Sequence, residues 1–180
     1  MANLLTAIRL LLVLPVVLAI ADADLVPHWL LLVMILVAIA SDYFDGKVAR
    51  ARNTASSRGM LFDHGTDFIF VTSALFALSF IGLATIFLPA LIVVAFSQYV
   101  LDSYFLFKQK QLRMSYLGRW NGILYFVPLL LYSASRLEWL AAFEPQIGLF
   151  INAICYALLL STVASIIDRA LSPLRPDRQY

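Results

Sequence analysis

Apolar and polar positions fall in long blocks along this chain. Six apolar stretches, Leu10 to Ala21, Leu25 to Ala40, Phe68 to Ala84, Ile86 to Leu101, Ile123 to Ser135 and Ile147 to Ile167, are separated by short polar joints. Several are shorter than the roughly 20 residues that a bilayer crossing needs, so the pattern predicts helices that continue into polar flanks at a membrane surface. The expected fold is an all-α integral membrane protein with six transmembrane helices. No repeat, low-complexity tract or long linker interrupts it, which gives one membrane domain over residues 1–171 and a loosely ordered tail over 172–180 carrying Pro173 and Pro176. Pro27, Pro89 and Pro145 stand near helix starts, where a missing amide donor costs little. Pro15 and Pro128 stand inside helices and predict kinks.

Composition turns this pattern into a membrane argument. With 62% hydrophobic residues and a mean hydropathy of +0.88, a chain of 180 residues holds more apolar surface than a soluble domain of that size can bury. The excess must face lipid.

Charge then sets the orientation, because Lys and Arg in short loops stay in the cytoplasm. Lys47, Arg50, Arg52 and Arg58 lie between the second and third stretches, and Lys108, Lys110, Arg113 and Arg119 between the fourth and fifth. Arg169, Arg175 and Arg178 follow the sixth, Arg9 precedes the first, and Arg136 alone falls on the other side. Both termini are therefore expected in the cytoplasm, with the protein in the cytoplasmic (inner) membrane. This basic face favours anionic headgroups and phosphate-bearing substrates, and no basic soluble domain exists to hold nucleic acid. Cys155 is the single cysteine and cannot form an internal disulfide; in an apolar stretch it reads as filler. Leu10 to Ala21 could imitate a secretory signal, yet only one Arg and the amino terminus precede it, so it is expected to be retained.

The chemistry concentrates between the second and third stretches. Asp42 and Asp45 are three apart and Asp63 and Asp67 four apart, so each pair shares one helical face. A short joint is expected to hold the two helices antiparallel and adjacent, bringing the acidic faces together. Four carboxylates at a membrane boundary repel one another and lose solvation, which persists when cations neutralise them. Oxygen ligands favour a hard divalent ion such as Mg²⁺, Mn²⁺ or Ca²⁺, and four carboxylates suffice for two ions that clamp a diphosphate. The bland alternative is helix capping, which suits Asp63 at a helix start; Asp42 and Asp45, placed at a helix end, oppose the dipole.

The spacing Asp42-x2-Asp45-Gly46-x2-Ala49-Arg50-x8-Gly59-x3-Asp63-x3-Asp67 resembles the full signature of the CDP-alcohol phosphotransferase family, with every defining position filled. The six-span layout is similar as well. The resemblance implies that Asp42, Asp45 and Asp63 are metal ligands, and that Asp67 both binds metal and acts as general base on the acceptor hydroxyl. It implies that Gly46, Ala49 and Gly59 leave room for the cytidine nucleotide, with Arg50 near its phosphates. Two Mg²⁺ or Mn²⁺ ions, a homodimer, a CDP-linked lipid donor such as CDP-diacylglycerol, and a small alcohol or alcohol-phosphate acceptor follow from it. The implied reaction is attack of the acceptor oxygen on the phosphorus bearing the donor alcohol, with release of CMP.

Other polar residues bear on the acceptor. Lys108, Lys110, Arg113 and Arg119 can hold an anionic acceptor or simply mark the cytoplasmic side; Arg119, opening the fifth stretch, is the stronger substrate contact. Asn3, Thr6 and Arg9 recur every three residues on one helical stripe, either lining the nucleotide site or forming an interfacial face with a snorkelling Arg. Asp102 is expected to pair with a basic neighbour such as Arg9 or Arg119, and Asp168 with Arg169 marks an interfacial helix end. His64 stands alone among carboxylates and is not read as a ligand. Phe62-Asp63-His64-Gly65 resembles the choline and ethanolamine branch, which joins a CDP-linked small alcohol to diacylglycerol, and this leaves the acceptor open. Two rival functions remain, a divalent-cation transporter and an inert membrane scaffold. A transporter places its acids at mid-bilayer depth, and a scaffold has no need of every signature position.

Overall fold

The computed structural model describes residues 2–51, 57–102 and 116–171; side chains at 2–5, 45–46, 48–51, 57–58 and 60 stand outside the description. The described residues are all-helical: α1 (Ala2–Ala21), α2 (His28–Ala51), α3 (Ser57–Phe80), α4 (Phe87–Leu101), α5 (Tyr116–Leu124), α6 (Phe126–Ser135), a 3-10 turn (Glu138–Phe143) and α7 (Glu144–Leu171). Each of the six apolar stretches has become helix. The polar flanks are helical too, as α2 runs on to Ala51 and α3 begins at Ser57.

The fifth stretch differs from a single span, because it breaks at Tyr125 into α5 and α6. Pro128 explains the position: it has no amide hydrogen to donate to the Leu124 carbonyl, and its ring crowds that carbonyl. Pro15, by contrast, sits inside an unbroken α1. At the far end of α3, Gly82 adopts φ +82°, and the amide of Leu83 donates to the Leu78 carbonyl at 3.0 Å. A left-handed glycine followed by this long back-bond closes the helix and turns the chain toward α4.

Packing follows a closed circuit in which α1 meets α2, α2 meets α6, α6 meets α7, α7 meets α4, α4 meets α3, and α3 returns to α1. α5 rests on α6 and α7. The adjacency expected of α2 and α3 is not what forms: α1 packs against both, and these two make little or no direct contact among the described residues. Their apolar faces are instead buried on α1, through Val16, Ala19 and Ile20 against residues such as Ile35 and Leu75. Phe70 and Phe126 stack at 5.9 Å across the centre of the bundle. Cys155 is fully buried, as filler.

The outer surface is also apolar. Leu11, Phe76, Phe80, Leu149 and Leu160 are exposed, and the two helical stretches among the described residues that are long and apolar enough to cross a membrane, Leu61–Phe80 and Glu138–Leu171, are only 39% and 28% buried over their most apolar windows. A core helix of a soluble protein is mostly buried, so these helices have a lipid-directed side. Thr6–Ala21, His28–Phe44 and Phe87–Leu101 are shorter apolar helices. Exposed Trp29 and Trp139 ring one end of the bundle, and exposed Tyr116 and Trp120 the other, as aromatic side chains do at membrane interfaces.

Because neighbouring helices run antiparallel, one end of the bundle collects the start of α1, the polar half of α2, the start of α3, the end of α4, the start of α5 and the end of α7. That end holds the site. At the opposite end Arg136 pairs with Glu144 at 3.5 Å.

Candidate active site

Asp42 lies more than two turns before the last residue of α2, and Asp63 lies well inside α3. The sequence places both at helix ends; the structure corrects this, since polar residues on either side extend the helices. Capping then accounts for neither acid, because dipole effects fade beyond the terminal turn. The dipole cost expected for Asp42 fades for the same reason.

Between these acids sits Arg9 of α1. Its Nη2 lies 3.3 Å from Asp42 Oδ1 and 3.3 Å from Asp63 Oδ1, and its Nη1 contacts Asp67 Oδ1. The Arg9 side chain is fully buried, whereas Asp42 is 45% exposed. This overturns the snorkelling alternative: Arg9 points inward to the acids. The wedge position of α1 between α2 and α3 is what delivers it there. Thr66, one position before Asp67, is buried and donates to the Phe62 carbonyl at 2.9 Å, which satisfies its hydroxyl within α3.

His64 joins the cluster. A ring nitrogen of His64 and carboxylate oxygens of Asp63 and Asp67 lie within 4.8 Å of one another, close to the span across a single ion whose metal–oxygen bonds are about 2 Å. These donors suit one divalent ion. The sequence sets His64 aside as isolated, although its spacing of three from Asp67 puts both on one face of α3; that was the available signal.

Beside the acids lies a cavity of about 520 Å³, lined by Asp42, His64, Asp67, Arg119 and Arg169 and by apolar side chains such as Ile92 and Leu130, which stand nearer the middle of their helices. Phe68 and Phe96 stack at 4.2 Å on its wall. Arg169 of α7 lies 3.9 Å from Asp102 and 5.0 Å over the Tyr99 ring. Asp102 therefore does pair with a basic group, but with Arg169 in place of Arg9 or Arg119, because α4 packs on α7. Arg169 is also more than an interfacial marker, since it forms part of the cavity wall. Gln98 Nε2 donates to the Ile166 carbonyl at 3.3 Å, joining the same two helices.

The remaining sequence-predicted positions divide by where they fall. Gly59 is half-buried in α3, and Arg119 is exposed and lines the cavity. Asp45, Gly46, Ala49 and Arg50 lie in α2 with side chains outside the description, and Lys108, Lys110, Arg113 and the 172–180 tail lie outside the described residues.

Residues 1–161 match the family model of CDP-alcohol phosphatidyltransferases. The chain belongs to this family. Its members are membrane-integral transferases that move a phospho-alcohol from a CDP-alcohol to an acceptor. The match takes in α1 to α6 and most of α7, and so every acid of the cluster and Arg9. None of the curated proteins compared with the chain matches it.

Proposed function

We propose that this CDP-alcohol phosphatidyltransferase transfers a phosphatidyl group from CDP-diacylglycerol to a small alcohol or alcohol phosphate, releasing CMP, in phospholipid synthesis. The observation that carries the reading is the meeting of Asp42, Asp63 and Asp67 beside a cavity whose lining includes Arg119 and Arg169 at the acid-bearing end and apolar side chains toward the middle of the bundle. A diphosphate joined to a lipid presents the same sequence of chemistries.

Asp42, Asp45, Asp63 and Asp67 hold two divalent ions, Mg²⁺ or Mn²⁺, with His64 able to supply a nitrogen. When bound, such ions spread the negative charge of the diphosphate and of departing CMP. Asp67, on the cavity wall, takes the proton of the acceptor hydroxyl. The acceptor oxygen forms a new bond to the phosphorus bearing the donor alcohol, and the bond from that phosphorus to the CMP oxygen breaks. Gly46, Ala49 and Gly59 give the nucleotide close access to the helices, Arg50 meets its phosphates, and Arg119, with Lys108, Lys110 and Arg113, faces an anionic acceptor.

The six apolar helical segments cross the membrane with both termini in the cytoplasm. Support comes from the gathering of Arg9, Arg119 and Arg169 at the site end of the bundle, the end from which the basic joints emerge. The site then opens at the cytoplasmic face, where soluble nucleotides and alcohol phosphates are found. The enzyme acts as a homodimer, as the family resemblance implies.

Release of radiolabelled CMP from CDP-diacylglycerol, with a panel of alcohol and alcohol-phosphate acceptors, tests the reading. Release with one acceptor class supports it. Release only from CDP-linked small alcohols onto diacylglycerol reverses donor and acceptor, and absence of release from any pair refutes transfer.

A further inference from the structure

Burying a guanidinium inside a helical bundle is costly unless opposite charge surrounds it. Arg9 meets that condition with three acids at once, two of them at 3.3 Å. Its Nε is buried with no hydrogen-bond partner among the described residues, so charge attraction to the carboxylates, more than a complete hydrogen-bond fit, fixes the side chain. Two of the carboxylates it engages, Asp63 and Asp67, belong with His64 to the group that could hold a metal ion. A guanidinium and a dication on the same carboxylates repel, and both cannot hold these contacts together.

We infer that Arg9 is a built-in counter-ion of the acid cluster: it neutralises the carboxylates before metal loading, yields them to the metal, and turns its guanidinium to the donor diphosphate. The inference rests on the metal reading proposed above and adds a competition to it. The planar fork of Arg suits phosphate oxygens as well as carboxylates, and Arg9 adjoins the cavity through Asp42 and Asp67, which line it. Displacement then has a destination. Metal and donor should bind cooperatively, since the donor's negative charge receives the cation that the metal expels.

The test measures Mn²⁺ binding to the full chain in detergent by electron paramagnetic resonance, with and without CDP-diacylglycerol, for the wild type, Arg9→Gln and Arg9→Lys. Arg9→Gln should bind Mn²⁺ alone about tenfold more tightly than the wild type, as removal of a like charge at this distance implies. Its melting temperature should also rise more on adding Mn²⁺ than the wild type's, because the metal then supplies the missing counter-charge. Equal or weaker Mn²⁺ binding by Arg9→Gln overturns the inference while leaving the metal reading intact. Binding by neither protein overturns both. If Arg9→Gln does not fold with or without Mn²⁺, Arg9→Lys decides: it keeps the charge and loses the fork, so Mn²⁺ affinity alone should stay near wild type while the donor-induced gain shrinks. An undiminished gain overturns the inference.

Discussion

Asp67 combines a place in the candidate metal group with access to the cavity, which neither Asp63 nor Arg9 has in the same degree: among them only Asp67 lines the cavity wall. The base role argued for it predicts that Asp67→Asn abolishes turnover while CDP-diacylglycerol binding largely survives, measured as CMP release alongside donor binding. Near-normal turnover by the variant removes Asp67 from that role. The meeting of Asp42 with Asp63 and Asp67 was legible because spacings of three and four on a helix are independent of tertiary contacts. Arg9 was not, since a stripe of Asn3, Thr6 and Arg9 looks the same whether it faces lipid headgroups or a buried acid cluster. Burial depends on which helix α1 packs between, and periodicity carries no such information. His64 was passed over for a related reason: its partner nitrogen-to-oxygen distances depend on rotamers, which a sequence does not state.

At the scale of the helices, two devices position the site. The first is the Pro128 break, which lets α5 diverge from α6 and brings Arg119 and Asn121 to the cavity wall. α5 and the break itself are then fastened to α7: Ser161 Oγ donates to Asn121 Oδ1 at 2.6 Å, and the Tyr125 hydroxyl and Thr162 Oγ1 lie 2.7 Å apart. Thr162→Val removes a buried partner of Tyr125 and should cost about 1 kcal/mol of stability, read as a lower midpoint in detergent denaturation. The second device is the turn at Gly82. An alanine there must adopt a left-handed backbone, at a cost of about 1–2 kcal/mol; its Cβ meets no atom within 4 Å, so the effect is conformational alone. Gly82→Ala should therefore lower the unfolding midpoint without altering metal or donor affinity. Pro128 announced a kink in the sequence, but the independent packing of α5 on α7 was hidden, as was the insertion of α1 between α2 and α3. Short joints suggest sequential neighbours; competing apolar faces decided otherwise.

For the whole molecule, the arrangement places Asp42, Asp63 and Asp67 with the polar part of the cavity lining at one end and a largely apolar shell around the sides. The six apolar stretches gave this shell directly, because the number and length of such blocks do not depend on packing detail. What the blocks could not give is the circuit order that closes α7 against both α4 and α6 and leaves the cavity between them. A divalent-cation transporter needs a polar route between the two faces, whereas here Asp42, Asp63 and Asp67 gather at one end of the bundle and the cavity lining toward its middle is apolar. Chelation should therefore stop phosphatidyl transfer outright, and Mn²⁺ or Mg²⁺ should restore it without any ion flux across sealed vesicles.

The most direct test of a carboxylate-held metal centre that drives CMP release is a single-turnover measurement on reconstituted protein loaded with CDP-diacylglycerol and acceptor, as Mn²⁺ is titrated after chelation. CMP release should rise from zero and saturate with Mn²⁺ in the wild type, with none at any Mn²⁺ concentration in Asp67→Asn. Release that persists in chelator, or that Asp67→Asn carries out at the wild-type rate, contradicts such a centre.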